Sequence, residues 1–326
     1  MYHIIANPIA GRGRTLNKLP LLSRLFDAKN LPHKILVTDC VMDAYQKAKA
    51  ACNEGSQGII GIGGDGTIQE IVAGMAAASN GPIAIPLGIF PGGSGNDFVM
   101  TLAGGKKEAL KRYKKRNHEA SATAFVEAVA ANSTTPVDLI KVGGMAYLNI
   151  GNIGLDAHVV KNAIAHKQSF GRYAYIAAVY QSIARHRNMP LTIELDGVVQ
   201  EGAYTLVAVC NGQYYGGGLH LAPDARLDDG KITVCMVKAM SRPRTMVIFP
   251  YLMLGRHHRL RAVSFHKCTD IKIRLKSGIE YLSLDGNLYG ISGGNEHQYV
   301  SPHQLEGADK GEMHFTVIPQ AINIFV

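Results

Sequence analysis

The sequence predicts a two-part chain, an α/β domain built on a parallel sheet followed by a β-rich, sandwich-like domain. Three observations lead there. Over residues 1 to about 120, short β-rich runs alternate with helical patterns, the rhythm of βαβ units whose parallel sheet is covered on both faces. The runs near 59–62 and 83–90 are almost continuously apolar, as doubly covered strands are. From about 123 onward, β-like runs separated by turn dipeptides take over, which reads as antiparallel pairing. With 326 residues, 47% of them apolar, each part can bury its own core.

YHIIAN opens the chain as a strand, and a helical pattern follows over Leu16 to Asn30. HKILVTD, a helix over Met42 to Asn53, QGIIGIG, a helix over Thr67 to Ser79, and PIAIPLGIF continue the alternation. GGKKEALKRYKKRNHE is a basic helical segment whose charges read as a solvated face. The second part holds VDLIKVGGMAYLNIGNIG, PLTIELDGVVQEGAYTLVAVCN, GKITVCMV and TDIKIRLKSGIEYLSLDGNLYG. Gly143-Gly144, Asp196-Gly197, Asp229-Gly230 and Asp285-Gly286 punctuate it as hairpin dipeptides. Two helical stretches interrupt the strands near 158–188 and 241–261. The tail MHFTVIPQAINIFV resumes strand character, so the expected divisions are 1–122, 123–310 and a segment 311–326 that returns to the first domain.

A formal charge of +9 and a pI near 9.2 favour an anionic partner. Cys40, Cys52, Cys210, Cys235 and Cys268 form no CxxC pair, and their odd number argues against a disulfide framework or a zinc site. Reduced, buried thiols are expected. The opening residues lack the order of a secretory leader, and no apolar run reaches about 18 residues. The expected location is the cytoplasm. No nucleic-acid-binding motif accompanies the basic run Lys106 to Arg116, so nucleic acid is not an expected partner.

Chemistry concentrates in three loops. ANPIAGRGR follows the first strand, with Asn7, Pro8, Gly11 and Gly13 in a tight turn. GGDGT, Gly63 to Thr67, follows the third, with Thr67 placed to cap the next helix. PGGSGND, Pro91 to Asp97, follows the fourth. In an open parallel sheet such loops converge at the carboxyl edge, where ligands bind, and helix N-termini attract phosphate there. Asp65 breaks the pattern, because a carboxylate among anion-binding amides repels phosphate unless a cation lies between them. That points to phosphoryl chemistry with Mg²⁺. Asp97 is either a further acidic group of this site or the capped start of a helix. Neither the P-loop nor the dinucleotide G-x-G-x-x-G signature is intact.

NPIAGRG, GGDGT, GGSGND, NIGNIGLDA, CNGQYYGGGLHLAPDARLDDGKITV and LDGNLY, in this order from Asn7 to the Asp285-Gly286 turn, resemble the motif series of the diacylglycerol kinase catalytic-domain family. These are soluble bacterial lipid kinases related to sphingosine kinases. GGDGT is shared with NAD kinases, but the later Y-G-G-G and P-x-A-x-x-x-D-G series resembles the lipid-kinase branch. The resemblance implies a two-domain NAD kinase/diacylglycerol kinase-like architecture, with an α/β nucleotide-binding domain, a β-sandwich-like second domain and the active site between them. It implies Mg²⁺-dependent transfer of the γ-phosphate of ATP to a lipid hydroxyl, that of diacylglycerol or a related lipid alcohol.

Residue by residue, the resemblance puts nucleotide contacts at Asn7, Pro8, Ile9, Ala10, Gly11, Thr38, Gly63, Gly64, Asp65, Gly66, Thr67, Ile68, Gln69 and Ser94, with Asn96 and Asp97 beside them. Ser94 keeps a hydroxyl where the family often has threonine. A metal-binding turn corresponds to the Asp229 carboxylate and the carbonyls of Arg226 and Lys231; apart from the resemblance, Asp229-Gly230 reads as a plain hairpin turn. Catalytic positions fall on Asp65, Asp285 and Asn287. The family usually carries Glu, a general base, at the last of these, and Asn cannot accept a proton at neutral pH. The chain is then a slow kinase, in which Asn287→Glu is expected to raise turnover, or a nucleotide- or lipid-binding protein with little turnover. A soluble-substrate kinase of the NAD kinase type is the other enzyme reading.

A lipid substrate has to be reached at an interface. GRYAYIAAVYQSIARHR sets Tyr173, Ile176, Ala177, Tyr180, Ile183 and Ala184 on one helical face with Arg185 and Arg187 near its end, and RPRTMVIFPYLMLGRHHRLR is apolar between basic clusters. Such helices either lie on a membrane surface or pack on a core with solvated ends. Peripheral contact with the inner membrane surface is the expectation, and a homodimer is compatible with the sequence. His257 and His258 lack a second pair at metal spacing and receive no catalytic task.

Overall fold

β1 (Tyr2–Ala6), β2 (His33–Val37), β3 (Gly58–Gly63) and β4 (Ile83–Pro91) form a parallel sheet in the order β4-β3-β1-β2. The computed structural model describes residues 1–79, 81–113, 118–155, 157–159, 179–253, 255–276, 281–290, 305 and 311–326. Alternation along the strands sends Ile4, Ile60 and Ile62 to one face and Ile5 and Ile59 to the other. α1 (Leu19–Ala28) and the later helix His118–Ala130 cover the first face through Leu22, Phe26, Phe125 and Val129; α2 (Asp43–Asn53) and α3 (Asp65–Ala77) cover the second. α4 (Asp97–Leu102) and α5 (Lys106–Arg112) follow β4, so the helix His118–Ala130 is α6. Position 122, taken above as a domain end, lies inside α6, whose Ala122 and Phe125 share a cluster with Leu22 and Phe90.

α3 is buried on every side from Thr67 to Ala76, as a helix flanked by two layers is. The second layer is the β-rich domain. It begins with β5 (Thr134–Val142), β6 (Met145–Tyr147) and β7 (Ile150–Gly154), continues through β8 (Met189–Leu195), β9 (Val198–Cys210), β10 (Tyr214–Tyr215), β11 (Leu219–His220), β12 (Ile232–Lys238), β13 (Val263–Cys268) and β14 (Asp270–Leu275), and ends with the hairpin β15 (Tyr281–Leu284) and β16 (Asn287–Gly290). β17 (Glu312–Phe325) then joins the two halves: Arg274↔Glu312 to Asp270↔Thr316 pair it antiparallel with β14, whereas Ile322↔Ile83 and Ile324↔Leu87 pair it parallel with β4. Between these stretches the register breaks near Gln320, whose φ is 47°.

Several local expectations shift. α3 begins at Asp65, not Thr67, and Gly64 occupies the cap position without a side-chain cap bond. Asp65 therefore belongs to the first helical turn, and the Thr67 hydroxyl accepts from Asn7 Nδ2 at 3.0 Å. Gly143-Gly144, Asp196-Gly197 and Asp285-Gly286 close hairpins with positive φ at both residues. Asp229-Gly230 does not, since the residues ahead of it, 221–230, form no strand. Cys210, Cys235 and Cys268 are buried, but Cys40 is exposed and Cys52 half-buried. In the helical stretch near 158–188, residues 157–159 and 179–185 are helical; Tyr173, Ile176 and Ala177 lie outside the described residues. Among the described residues no helix is long and apolar enough to cross a membrane.

Candidate active site

The three glycine loops stack at the carboxyl edge of the parallel sheet, at separations that exclude side chains. A Cβ on Gly11 would lie 2.2 Å from the Gly92 carbonyl oxygen, and one on Gly93 would lie 2.4 Å from Gly64 Cα. The Gly92 amide donates to Gly63 O at 2.8 Å. Asn7 ties its own loop to α3 through Thr67 and accepts from the Ile9 amide at 3.1 Å. Thr38 is buried at the end of β2, its amide donating to Ala6 O, while Ile9 and Ser94 face solvent. Of the predicted nucleotide positions, Ile68 packs in the core and Gln69 is fully buried.

Three carboxylates gather behind these loops. Asp65 Oδ2 accepts from the Asn96 amide at 2.8 Å and Oδ1 from the Phe98 amide at 3.3 Å, so it faces the first turn of α4. Burial raises its pKa against the pull of those amides. Asp97 is buried and accepts from Gly218 N at 2.6 Å and Gly217 N at 2.9 Å, both from the β-rich domain. The Gly216–Gly218 turn holds positive φ throughout, which suits the three glycines quoted as a motif above. Burial, then the neighbouring Asp65 charge, drives the Asp97 carboxyl upward. Asp285 accepts from the amides of Ile150 at 2.7 Å and of Leu148 and Asn149 at 3.3 Å. Burial chiefly, with Asp65 adding to it, pushes Asp285 up to about 7.

Gly95 marks a gap between two of these acids. A Cβ there would sit 3.0 Å from Asp65 Oδ2 and 3.0 Å from Asp97 Oδ2. Two hard oxygens thus flank a space that only glycine leaves open, a donor set suited to a divalent cation that completes its shell with phosphate and water.

Asn287 is used as a donor. Its Nδ2 donates to Gly66 O at 2.9 Å and to Gln69 Oε1 at 2.7 Å. The Tyr289 hydroxyl donates to the same Gln69 oxygen at 2.9 Å, and Gln69 Nε2 donates to Ala146 O at 3.1 Å. Gln69 is thereby the centre of a buried latch between α3 and the β15–β16 hairpin. Sequence reasoning missed it, although the signal was present: Asn287 and Tyr289 lie on one face of a strand, two residues apart.

The Asp229 turn is held differently. Lys267 Nζ lies 2.7 Å from Asp229 Oδ2, and the Lys231 amide donates to Asp229 Oδ1 at 3.1 Å. The Arg226 guanidinium lies 3.4 Å from Asp228. Asp138, fully buried and overlooked in the sequence, staples the turn by accepting from Gly230 N at 2.6 Å and, across the β17 register break, from Gln320 N at 2.7 Å. Among the described residues no group of three or more His, Cys, Asp or Glu side chains is arranged to hold a metal.

Residues 1–142 match the sequence model of the diacylglycerol kinase catalytic domain, and residues 150–326 match that of the YegS C-terminal NAD kinase beta sandwich-like domain. The chain belongs to the diacylglycerol kinase catalytic-domain family and is a kinase. Among its relatives, a diacylglycerol kinase of Bacillus subtilis (strain 168) is 28% identical over 311 residues, 95% of this chain and 97% of the relative. A diacylglycerol kinase of Staphylococcus aureus (strain MRSA252) is 26% identical over 288 residues, 88% of this chain and 86% of that one. A solved structure described as a diacylglycerol kinase of Bacillus anthracis str. Sterne covers 99% of this chain and 96% of its own, with a TM-score of 0.66 at 22% identity. Another from the same organism reaches 0.73 at 24% identity, covering 99% and 94%. The family's α/β plus β-rich fold extends over the whole chain.

Proposed function

We propose that this family member transfers the γ-phosphate of ATP to the hydroxyl of diacylglycerol or a closely related lipid alcohol, in the cleft between the two domains. The observation that carries the reading is the juxtaposition of anion-binding glycine loops with Asp65, Asp97 and Asp285. Amides of the three glycine loops that are not committed within the fold, as those of Ile9, Gly93 and Asn96 are, bind the phosphates. Asp65 and Asp97, whose carboxylates border the space at Gly95, would hold Mg²⁺, which would supply neutralisation of charge on the transferring phosphoryl group. Asn287 orients the glycine loop through Gly66 and is not a base. Lys267, not a divalent cation, balances Asp229 at the turn of Arg226 and Lys231. The division between domains falls after Ala130, with β17 shared.

Transfer of radiolabel from γ-labelled ATP to a panel of lipid alcohols in mixed micelles, with sphingosine and NAD alongside, tests the proposal. Labelled phosphatidic acid from diacylglycerol is the expected product. Label in NAD alone would overturn the lipid reading, and label nowhere would favour a binding protein.

A further inference from the structure

The β-rich domain carries a basic, acid-free surface that the cleft does not use. Between Asp229 and Asp270 the sequence contains no Asp or Glu, and the helix Arg242–Met253, here α7, lies within that span. Thr245 is buried and Met246 packs against the cluster of Val159, Val179 and Ile183. These contacts fix which side of α7 faces inward. The opposite side presents Val247, 69% exposed, and Tyr251, 47% exposed, four residues apart and on one stripe with the exposed Arg244. Arg256, Arg259 and Arg261 are exposed just beyond. Among the described residues none of these four arginines forms an ion pair, so their charge is directed at solvent. Tyr180, 38% exposed on the neighbouring helical segment 179–185, lies next to Val179 of the cluster that supports α7.

This surface is tied to the cleft. α7 packs beside β11, and His257 Nε2 is hydrogen-bonded to Leu221 O at 2.7 Å. The same β10–β11 hairpin carries the Gly216–Gly218 turn that grips Asp97. An apolar stripe rimmed by unpaired arginines is complementary to an anionic bilayer, where aromatic and aliphatic side chains enter the headgroup boundary and guanidinium groups meet lipid phosphates.

We propose that α7 and the arginines to Arg261 are the face by which this chain docks on an anionic lipid surface, with Val247 and Tyr251 inserted. The proposal rests on the lipid-kinase reading for its purpose, but its test does not use turnover. Sedimentation of the full chain with vesicles, without nucleotide, compares pure phosphatidylcholine with mixtures containing phosphatidylglycerol. Binding is expected to the anionic vesicles and to weaken as salt is raised, each arginine contributing up to about fivefold in affinity. Val247→Ser with Tyr251→Ser is expected to lower vesicle affinity at least tenfold, and Arg256→Gln with Arg259→Gln to remove about half of the salt dependence, with melting temperatures unchanged. Equal binding by wild type and both double variants would overturn the proposal. So would sedimentation equilibrium in which wild type is a dimer, the Val247/Tyr251 variant a monomer, and vesicles bind neither, because the face would then join two copies of the chain. Vesicle binding with no labelled lipid product would leave the docking face standing and remove the proposed lipid substrate.

Discussion

Two Asp-Gly turns, Asp65-Gly66 and Asp229-Gly230, look alike in sequence and are opposites in the fold. Asp65 sits at the start of a buried helix, accepts only backbone amides at its carboxylate and has two further acids near it. Asp229 is partly exposed and has a lysine ammonium against it. A carboxylate already neutralised by a lysine has little left to offer a metal or substrate. A buried carboxylate crowded by others is unstable as an anion until a cation arrives. Charge balance, rather than the dipeptide, is what distinguishes the two turns.

The largest effect that can break this contrast is catalytic. Asp65→Asn keeps an oxygen for the Asn96 amide but removes the charge, and turnover is expected to fall by about 10² to 10⁴. The melting temperature should move by no more than a few degrees, since the folded state no longer carries a buried anion. A variant that turns over normally at every Mg²⁺ concentration would place Asp65 among the structural acids.

Much of this site was legible before any coordinates. The loops at Asn7, Gly63 and Pro91 follow strands whose continuous apolar character announces a parallel sheet, and ligand loops of such sheets share one edge. Asp65 was conspicuous because it broke a pattern of anion-binding glycines. What was harder to read were side chains whose partners lie far away in the sequence. Asp138 reads as one more polar residue in VDLIKV, yet it fixes both the Gly230 turn and the Gln320 break. The resemblance places Gln69, in the first turns of a helix, at a nucleotide-contacting position, and its side chain is the centre of a buried latch. Local periodicity places each side chain on a face but does not name a partner so distant in sequence.

Next in size is the pH dependence of stability. Asp285 has a folded-state pKa of about 7 against an ordinary 3.8, so the fold favours its protonated form. That stabilisation is complete below about 4 and is lost as pH rises through about 7, with a total span on the order of 4 kcal/mol at the established cost per pKa unit. Urea unfolding of wild type and Asp285→Asn from pH 4 to 8 should give curves that lie close together at pH 4, where the protonated acid resembles the amide, and separate toward pH 8 as wild type alone loses stability. A constant gap across that range would show that the ionisation of Asp285 is not linked to folding.

Asn287→Glu carries a smaller effect, and the hydrogen bonds reverse the sign expected from family resemblance. A carboxylate at that position would face Gly66 O and Gln69 Oε1, two acceptors, without an N–H to give either. Loss of about 1–3 kcal/mol in stability is expected, with lower rather than higher turnover, because the latch that aligns the glycine loop is broken. Asn287→Asp, examined across pH, should recover only at acidic pH, where the protonated acid can donate once. Faster phosphoryl transfer by the Glu variant on any lipid would restore a base to this turn.

The smallest effect concerns the second half of the contrast. Lys267→Met keeps the aliphatic stem and removes the charge that faces Asp229. Both side chains are partly exposed, 38% for Lys267 and 20% for Asp229, so solvent screening limits the loss to about 1 kcal/mol, or roughly 2 °C in a chain of this size. The decisive quantity is a double difference. Melting temperatures with Mg²⁺ and with chelator contain a contribution from the Asp65–Asp97 gap that is common to both proteins and cancels. If the ammonium stands where a divalent ion would otherwise sit, the variant exposes an uncompensated Asp229 and its Mg²⁺-induced rise should exceed that of wild type. An equal rise in the two proteins would mean that Asp229 has no use for a cation beyond its hydrogen bond from Lys231, leaving Asp138 as the residue that holds the turn.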